Sequence, residues 1–342
     1  MANLTHAARR ALLDWYGAHK RDLPWRRTRD PYAVWVSEVM LQQTQVATVE
    51  PYWRRWMERF PTVQSLAETD EHDLLSVWQG LGYYRRARLL QAGACYVLET
   101  GLPHTEAEWR KVPGVGPYTA SAIASIAQGV PAPLVDGNVE RVYSRVAADG
   151  ASGPALTKNA WQWASENLVR EHPGDWNQAL MELGATVCTP LLPSCSSCPL
   201  RRDCTALATE TVHLFPARAP KPAVIQLAHV AWAPYYQGQF GLEKIPEGEW
   251  WHGMWQFPRA VCAEESRLRH LVGPAELEKV GSLRHTVTNH RIELTVVLAR
   301  CESRSSSLSW YEHEQLASLP LPSPQRKALK LLLKHLDQSV LL

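Results

Sequence analysis

The sequence lacks an excess of charge of either sign. It carries 36 lysine and arginine residues against 34 aspartate and glutamate residues. A chain so close to neutral cannot bind nucleic acid as a bulk polycation. Any such binding has to depend on local clusters of basic side chains and on backbone amides.

Long apolar runs are also missing. No stretch of about eighteen consecutive apolar residues occurs, which argues against a membrane-spanning helix. Arg9 and Arg10 interrupt the first apolar stretch, so the N-terminal residues do not resemble a signal peptide. No internal repeat is present. We therefore expect a soluble, intracellular protein with no membrane partner.

Outside one short segment, cysteines are few and isolated. The remaining three stand singly in apolar or strand-like surroundings, at Cys95, Cys262 and Cys301. Free cysteine behaves as a small apolar residue and is among the most buried residue types. We therefore expect these three to be buried free thiols.

The short segment itself holds four cysteines with an uneven spacing. Cys188, Cys195, Cys198 and Cys204 are separated by six, two and five residues. Four thiolates this close together predict a metal or cluster site, and structural zinc and an iron–sulfur cluster are the two candidates. Zinc sites usually split their ligands into two close pairs, whereas here only Cys195 and Cys198 are closely paired. The spacing therefore favours a [4Fe–4S] cluster.

The first two thirds of the chain show the pattern of a helical domain. From Thr5 to about Ala208 helical segments follow one another, with glycine and proline between them. One predicted helix starts at Asp30-Pro31 and runs on to Val46, and another spans Pro117 to Gln128. This pattern predicts an all-α domain over residues 1–212, including a cluster loop at 188–204.

The pattern changes after a proline-rich stretch. Residues 215–222 contain three prolines, which cannot continue a helix, so residues 213–222 are expected to form an extended linker. Beyond it, Val224–Trp232 and Glu293–Ala299 have the composition of strands, and Pro324–Leu336 that of a closing amphipathic helix. The prediction is therefore an α+β domain over residues 223–342.

Glu38 lies on an apolar face of a predicted helix. Val34 and Trp35 precede it by one turn and Leu41 follows it, so the carboxyl group points where apolar side chains point. Burial disfavours the charged form and raises the pKa, as a general acid near neutrality requires. The alternative is an ordinary helix glutamate paired with Arg26.

Asp136 follows the apolar run at 133–135 and precedes Gly137-Asn138 and a helix. Its alternative role is that of a helix N-cap. The two roles are compatible, because a carboxylate that accepts bonds from amide groups is expected to stay ionised at low pH. A protonated acid and an ionised partner are the pair that cleaves an N-glycosidic bond, one assisting the leaving base and the other stabilising the sugar cation.

A glycine-containing turn separates two predicted helices at residues 112–117. Gly114 and Gly116 allow the backbone to approach a phosphate closely, and the next helix presents free N–H groups. The alternative is an ordinary tight turn between helices. On its own this motif is weak, but the downstream cysteine segment strengthens it.

Together these motifs resemble the helix-hairpin-helix DNA glycosylases, and within them the MutY-type adenine DNA glycosylases. The similarity rests on the segments Ser37–Val46, Gly80–Tyr84 and Leu134–Val139 and on the four-cysteine spacing. It covers nearly the whole chain. The resemblance implies a helical glycosylase domain with a [4Fe–4S] cluster that orients DNA, and a substrate of duplex DNA in which adenine is mispaired with 8-oxoguanine or guanine.

The resemblance also implies roles for the catalytic residues. Glu38 would protonate the adenine leaving group, Asp136 would stabilise the sugar cation, and Asn138 would help to order that pair. Tyr118 stands where bifunctional relatives similar to endonuclease III carry a lysine that forms a Schiff base. A tyrosine cannot do so, which predicts a monofunctional enzyme. The alternative for Tyr118 is a core aromatic residue.

Further positions match residues that the family uses on DNA. Gln43, Leu81 and Tyr83 match segments inserted near the lesion, and Thr44 matches a contact to the base opposite the target. Arg26, Gln178 and Glu182 match the adenine pocket. Gln43 and Gln178 would otherwise be ordinary surface residues. Arg201 and Arg202 make the cluster loop basic, which suits a phosphate or is simply a solvated loop.

The C-terminal part resembles the nudix-like domain that this family uses to read 8-oxoguanine. The similarity lies in Gly248–Pro258. Residues 259–270 lack the acidic pattern of active nudix hydrolases, so hydrolysis of a nucleoside diphosphate derivative is not expected. The family's lesion-reading loop normally has Phe-Ser-His, where this chain has Val287, Thr288 and Asn289, with His290 next. The hydroxyl of Thr288 is kept, whereas the aromatic side chain and the histidine are not.

The sequence therefore predicts an adenine DNA glycosylase of base excision repair, which is expected to be a cytoplasmic, nucleoid-associated monomer. Whether a sliding clamp or a mismatch-repair protein binds its linker is left open by the sequence. Two alternatives stay open. One is a related mismatch glycosylase that removes thymine, and the other is a cluster-containing DNA-binding protein without catalysis. Retention of both Glu38 and Asp136 argues against the second alternative.

Overall fold

The computed structural model describes residues 3–217, 223–261 and 265–339. The chain forms two compact units. The first comprises Met1–Thr69 and Arg88–Pro220, and the second comprises Asp70–Ala87 and Lys221–Leu342. The segment at 70–87, placed in the helical domain by the sequence, thus clusters with the C-terminal residues. Residues 218–222 of the predicted linker and Cys262 lie outside the described residues.

The part of the chain before the linker is helical. The helices of the first unit are α1 (His6–His19), α2 (Pro31–Leu41), α3 (Val46–Arg59), α4 (Val63–Ala67), α7 (Glu106–Trp109), α8 (Pro117–Gln128), α9 (Gly137–Val146), α10 (Gly153–Asn167), α11 (Pro173–Thr186) and α12 (Thr205–Ala208). Helix α5 (Glu71–Trp78) lies in the second unit, and α6 (Arg85–Thr100) begins there and continues into the first. Single 3₁₀ turns occur at Pro24–Arg26, Cys195–Ser197 and Val212–Leu214.

Helix α2 is shorter than predicted. It begins after Asp30, whose side chain accepts a hydrogen bond from the Tyr32 amide at 3.0 Å. It ends at Leu41 instead of continuing to Val46, because Gln43 adopts a left-handed conformation with φ 56°. The loop between α2 and α3 therefore carries the glutamine-rich part of the motif.

Aromatic side chains form much of the core of the first unit. Trp35, Trp56, Trp109 and Trp176 are fully buried. Helix α11 packs against α1, α8 and α9, and α2 packs against α8. Gly93 of α6 allows the backbone of that helix to approach the Trp35 ring closely, because a Cβ atom at position 93 would lie 2.6 Å from the ring. Burial of each such ring stabilises the fold by about 2–3 kcal/mol.

The second unit contains a mixed β-sheet. Its strands are β1 (Ile225–Tyr236), β2 (Gln239–Lys244), β3 (Trp255–Gln256), β4 (Arg259–Val261), β5 (Ala275–Val287), β6 (His290–Cys301) and β7 (Ser309–Glu312). The strand order is β3-β2-β1-β6-β5, while β4 pairs with β1 and β7 pairs with β2. Strands β1 and β6 are parallel, and the other pairs are antiparallel.

Helices complete the second unit. They are α13 (Glu265–Val272), α14 (His313–Leu316) and α15 (Ser323–Ser339). Leu332 of α15 packs with Phe240, Phe257 and Leu294 of the sheet core. The predicted fold class, an all-α part followed by an α+β part, is confirmed.

Two of the isolated cysteines, Cys95 and Cys301, lie among the described residues. Cys95 is exposed on α6 and Cys301 is partly buried, so the expectation of a buried thiol is wrong for Cys95. Its position on the solvent side of α6 explains this. No helix among the described residues is long and apolar enough to cross a membrane.

Candidate active site

A cavity of about 600 Å³ in the first unit brings most of the predicted site residues together. It lies between α2, α8, α9 and α11 and the loop that follows α2. The predicted residues that line it are Arg26, Glu38, Gln43, Thr44, Tyr118, Asp136, Asn138, Gln178 and Glu182. Such a volume is large enough for a nucleoside.

Glu38 occupies the apolar environment that the sequence predicted. Its side chain is buried in α2, and one carboxylate oxygen accepts a hydrogen bond from the Tyr118 hydroxyl at 2.6 Å. Burial raises the pKa of Glu38 to about 7, and the hydrogen bond from Tyr118 only partly opposes this effect. The predicted alternative, a direct pair with Arg26, does not form. Glu38 is therefore placed to donate a proton near neutral pH.

Asp136 is the N-cap of α9, as the alternative reading of the sequence proposed. One carboxylate oxygen accepts bonds from the amides of Asn138 and Val139, at 2.9 and 2.8 Å. The other accepts a bond from the Asn138 side chain at 2.8 Å. Burial nevertheless raises the pKa of Asp136, and these donors only oppose the rise. The expectation that the amide donors hold this pKa low is therefore wrong for the DNA-free protein.

Glu182 forms the opposite kind of site in the same cavity. Its buried carboxylate accepts bonds from the Arg21 side chain at 2.7 and 2.8 Å and from Arg26 at 2.8 Å. These donors lower its pKa to about 2 although burial acts against them. The cavity therefore holds one carboxyl group with a pKa near neutrality, Glu38, and one with a pKa of about 2, Glu182, so the two are suited to different roles.

Two arginines of the site were missed by the sequence analysis. Arg21 is 161 residues from Glu182 along the chain, so no local pattern announces the pair. Arg141 of α9 donates to the Asn138 side chain, the Gly184 carbonyl and the Cys188 carbonyl, each at 2.8 Å. It thereby connects Asn138 to the first cysteine of the cluster loop.

The four predicted cysteine ligands line one small cavity of the first unit. Arg145 donates to the Cys188 sulfur at 3.3 Å and also to the Thr189 carbonyl at 2.7 Å. Burial raises the pKa of the Cys198 thiol to about 12. Within the described residues, no three cysteine, histidine or acidic side chains are arranged to hold a single metal ion. Four sulfur donors around a common space fit a thiolate-bound cluster.

Other predicted DNA-contacting residues lie outside the large cavity. Gly114 has φ 80°, and a Cβ atom there would lie 2.6 Å from that of Leu89, so the turn before α8 requires glycine. Gly116 faces open space, which leaves room for a phosphate. In the second unit, Tyr83 is 51% exposed, whereas Leu81 is buried. Their DNA contacts stay predictions.

The predicted lesion-reading residues lie at the turn between β5 and β6. Thr288 has a left-handed conformation with φ 53°, unfavourable for a β-branched residue. Its hydroxyl donates to the Val287 carbonyl at 2.7 Å, and the Asn289 amide donates to the Ala223 carbonyl at 3.0 Å. The Trp250 ring lies 5.1 Å from that of His290, so an aromatic group flanks the turn although residue 287 is aliphatic.

Comparison with known families agrees with this geometry. Residues 36–166 match the HhH-GPD superfamily of base excision DNA repair proteins. This match lies within the helical part of the chain. Residues 229–331 match the NUDIX domain, so the resemblance to MutY-type glycosylases with a nudix-like domain is confirmed.

Three similar proteins are each described as an adenine DNA glycosylase. The chain is 40% identical to an adenine DNA glycosylase of Arabidopsis thaliana over 77% of its own length and 49% of the relative. It is 51% identical to the human adenine DNA glycosylase over 58% of its length and 39% of the relative. It thus spans about half or less of these two relatives. A Buchnera aphidicola (Schizaphis graminum) adenine DNA glycosylase is 29% identical over 94% of this chain and 97% of that protein.

Solved structures of two related enzymes share the helical fold. A thermostable thymine-DNA glycosylase is 26% identical, with a TM-score of 0.54, and the match covers 59% of this chain and 95% of that one. An endonuclease III–DNA complex is 26% identical, with a TM-score of 0.50, over 60% of this chain and 98% of that one. Both matches cover the share of the chain expected for the helical part.

Proposed function

We propose that this chain is a monofunctional DNA glycosylase that removes adenine mispaired with 8-oxoguanine or guanine from duplex DNA. The observation that carries the proposal is the buried Glu38, with a pKa of about 7, in one cavity with Asp136. The human, Arabidopsis and Buchnera relatives, each described as an adenine DNA glycosylase, support the choice of base.

The chemistry follows from the two carboxyl groups. The adenine must leave the base stack to enter the cavity, which costs a few kcal/mol and less at a mispair. Glu38 gives its proton to adenine as the C1′–N9 bond breaks and the bonding electrons move to the base. Asp136 stabilises the sugar cation, whose C1′ then bonds to a water oxygen. The proton released by that water restores Glu38, so the net reaction is hydrolysis.

Tyr118 sets the type of reaction. Its hydroxyl donates to Glu38 and therefore lies at the catalytic acid. A phenol has no amine to form a Schiff base with the sugar, so strand cleavage through such an intermediate is not expected. Glu182, held by Arg21 and Arg26, offers a fixed carboxylate that can accept a bond from an amino group of the base.

The cofactor and the lesion preference are part of the same proposal. Cys188, Cys195, Cys198 and Cys204 would hold a [4Fe–4S] cluster, whose contribution is to shape and orient the loop for DNA. Thr288 and Asn289 would lie near the base opposite adenine, with Gln43, Thr44 and Tyr83 at the opened duplex. Duplex DNA is the partner.

A single-turnover excision assay tests the proposal. Three duplexes are compared, with adenine opposite 8-oxoguanine, guanine or thymine. Fast release from the first, slower release from the second and none from the third is expected. Equal rates on the first two would retain the adenine chemistry without lesion reading.

The catalytic assignment has its own control. The Glu38→Gln variant is expected to bind the same duplexes without releasing adenine. If neither binding nor release changes, Glu38 is not the acid. Release of thymine, or of no base at all, by the unmodified protein would overturn the adenine proposal and favour the two alternatives left open by the sequence.

A further inference from the structure

A recess lies within the second unit, and none of the residues assigned to chemistry lines it. It has a volume of about 360 Å³. Its walls include the glycine turn at Gly80 and Gly82, the Trp251 and His285 side chains, and Lys327 of α15. None of its lining residues within the described chain is acidic.

His285 is the unusual residue of this recess. Both ring nitrogens are shielded from water, and neither has a hydrogen-bond partner among the described residues. Burial, followed by the positive charge of Arg259, lowers the pKa of His285 to about 4. The imidazole is therefore neutral and carries one unused N–H donor and one unused acceptor. Buried polar groups without partners are rare, and each calls for an explanation such as a ligand.

Lys327 adds a positive charge to the same recess. Its side chain is exposed, and it belongs to the first turns of α15, which begins at Ser323. The start of a helix carries partial positive charge, which adds to that of the ammonium group. The local field therefore favours an anion, with Lys327 as the charged contact and His285 as a neutral donor.

The glycine turn leaves the mouth of the recess open. Gly80 and Gly82 have φ values of 105° and 73°, and a Cβ atom at Gly82 would meet no atom within 4 Å. A backbone without side chains can be approached closely by a phosphate. Tyr83, which directly follows Gly82, is 51% exposed and is itself predicted to contact DNA.

We propose that this recess binds a phosphate group of the DNA backbone, with Lys327 and His285 as its contacts. The inference rests on DNA as the partner, as proposed above, and adds a contact that the sequence motifs do not contain. The site acts on binding and placement of the duplex and takes no part in breaking the glycosidic bond.

The test measures affinity for an undamaged duplex as a function of salt, so that no chemistry is involved. Lys327→Ala should weaken binding about tenfold at roughly 0.1 M salt. Loss of one phosphate contact should also reduce the slope of log affinity against log salt by about 0.9. Lys330→Ala is the matched control, because Lys330 is an exposed lysine of the same helix that does not line the recess. It should leave the slope unchanged.

His285→Leu gives a second and independent readout. Removing two unpaired buried nitrogens should leave the Tm equal or higher, while the affinity for the duplex falls. An unchanged slope in Lys327→Ala, or an equal loss of duplex affinity in Lys330→Ala, overturns the proposal.

Inorganic phosphate at constant ionic strength distinguishes the source of the anion. A variant that loses only phosphate-induced stabilisation, with duplex affinity intact, overturns the assignment to DNA. Failure of adenine release alone would leave these binding results standing.

Discussion

Glu38 shows how a residue suited to proton donation can lower the stability of the fold. The helix face that contains it is apolar, so the charged carboxylate loses solvation without gaining an ion pair. Its ordinary pKa of 4.5 rises to about 7, which corresponds to a cost of about 3 kcal/mol for the ionised form. A general acid that is protonated near neutral pH therefore reduces the stability of the fold above that pH.

The first prediction concerns this cost. The stability that Glu38 contributes is fully present below pH 4.5 and is lost as the pH rises through about 7. In Glu38→Gln that loss is absent, so the variant should gain about 3 kcal/mol relative to the unmodified protein between pH 4 and pH 8. Denaturant unfolding at several pH values measures the difference. The exposed Glu99→Gln is the control, and a parallel pH dependence of Glu38→Gln and the unmodified protein would contradict the prediction.

The second prediction concerns Tyr118. Its hydroxyl donates to Glu38 and so holds the pKa of that carboxyl group below the value that burial alone would set. In Tyr118→Phe the pKa of Glu38 should rise further. Excision requires the protonated acid, so the decline of the single-turnover rate at alkaline pH should move to higher pH.

Tyr143→Phe is a matched control for that shift. The Tyr143 hydroxyl also donates to a carboxylate, that of Asp149, at 2.6 Å, but it does not line the cavity. Its pH profile should coincide with that of the unmodified enzyme. Coinciding profiles for Tyr118→Phe and the unmodified enzyme would show that the hydrogen bond does not tune the acid.

At the scale of elements, the sequence predicted which helices form better than it predicted where each helix ends. Helix α8 has the predicted bounds, because Pro117 starts it and Gly129 ends it in a left-handed conformation. Helix α2 was predicted too long, because its apolar pattern continues past Leu41 although Gln43 breaks the backbone. The periodicity of apolar residues shows which face of a helix is buried. It does not show where the helix ends, because a residue in the left-handed conformation within a polar loop leaves no periodic signal.

The same limit applies to the site. Local motifs located Glu38, Asp136 and the cysteines, since each stands in a short and distinctive segment. Arg21 was missed because its partner Glu182 is distant in sequence. Arg141 was missed because the carbonyl groups of Gly184 and Cys188 that it also contacts are distant as well. The direction in which the pKa of Asp136 shifts was also predicted wrongly, since the depth of burial is a tertiary property.

The turn between β5 and β6 carries the third prediction. Changing Val287, Thr288 and Asn289 to Phe, Ser and His should raise the ratio of excision rates on the 8-oxoguanine and guanine mispairs. An aromatic group that stacks on a base contributes about 1–3 kcal/mol, so an increase of about tenfold is expected. Serine also relieves the β-branched residue at φ 53°.

The single variant Asn289→His is the control for the triple variant. Asn289→His alone breaks the bond to the Ala223 carbonyl without adding an aromatic wedge, so it should produce a smaller change than the triple variant. An unchanged ratio in the triple variant would mean that these three positions do not read the lesion. The ring of Trp250 beside His290 would then be the aromatic surface to examine.

At the scale of the whole molecule, the first unit joins two sites through one helix. Asp136 is the N-cap of helix α9, and the two arginines of this helix reach the cluster loop. Arg141 bonds to the Cys188 carbonyl, and Arg145 bonds to the Cys188 sulfur and the Thr189 carbonyl. A short chain of hydrogen bonds therefore connects the cysteine loop to the N-cap of α9.

The last prediction follows from this arrangement. Protein purified without oxygen should contain about four iron atoms per chain and absorb broadly in the blue part of the visible spectrum. Cys198→Ser should lose most of the iron and lower the Tm, because cluster binding contributes folding free energy. Cys95→Ser is the control, since that thiol is exposed and far from the other four in sequence. Stoichiometric zinc in place of iron would contradict the cluster. Iron loss without any fall in excision rate would show that the link through α9 carries no influence to Asp136.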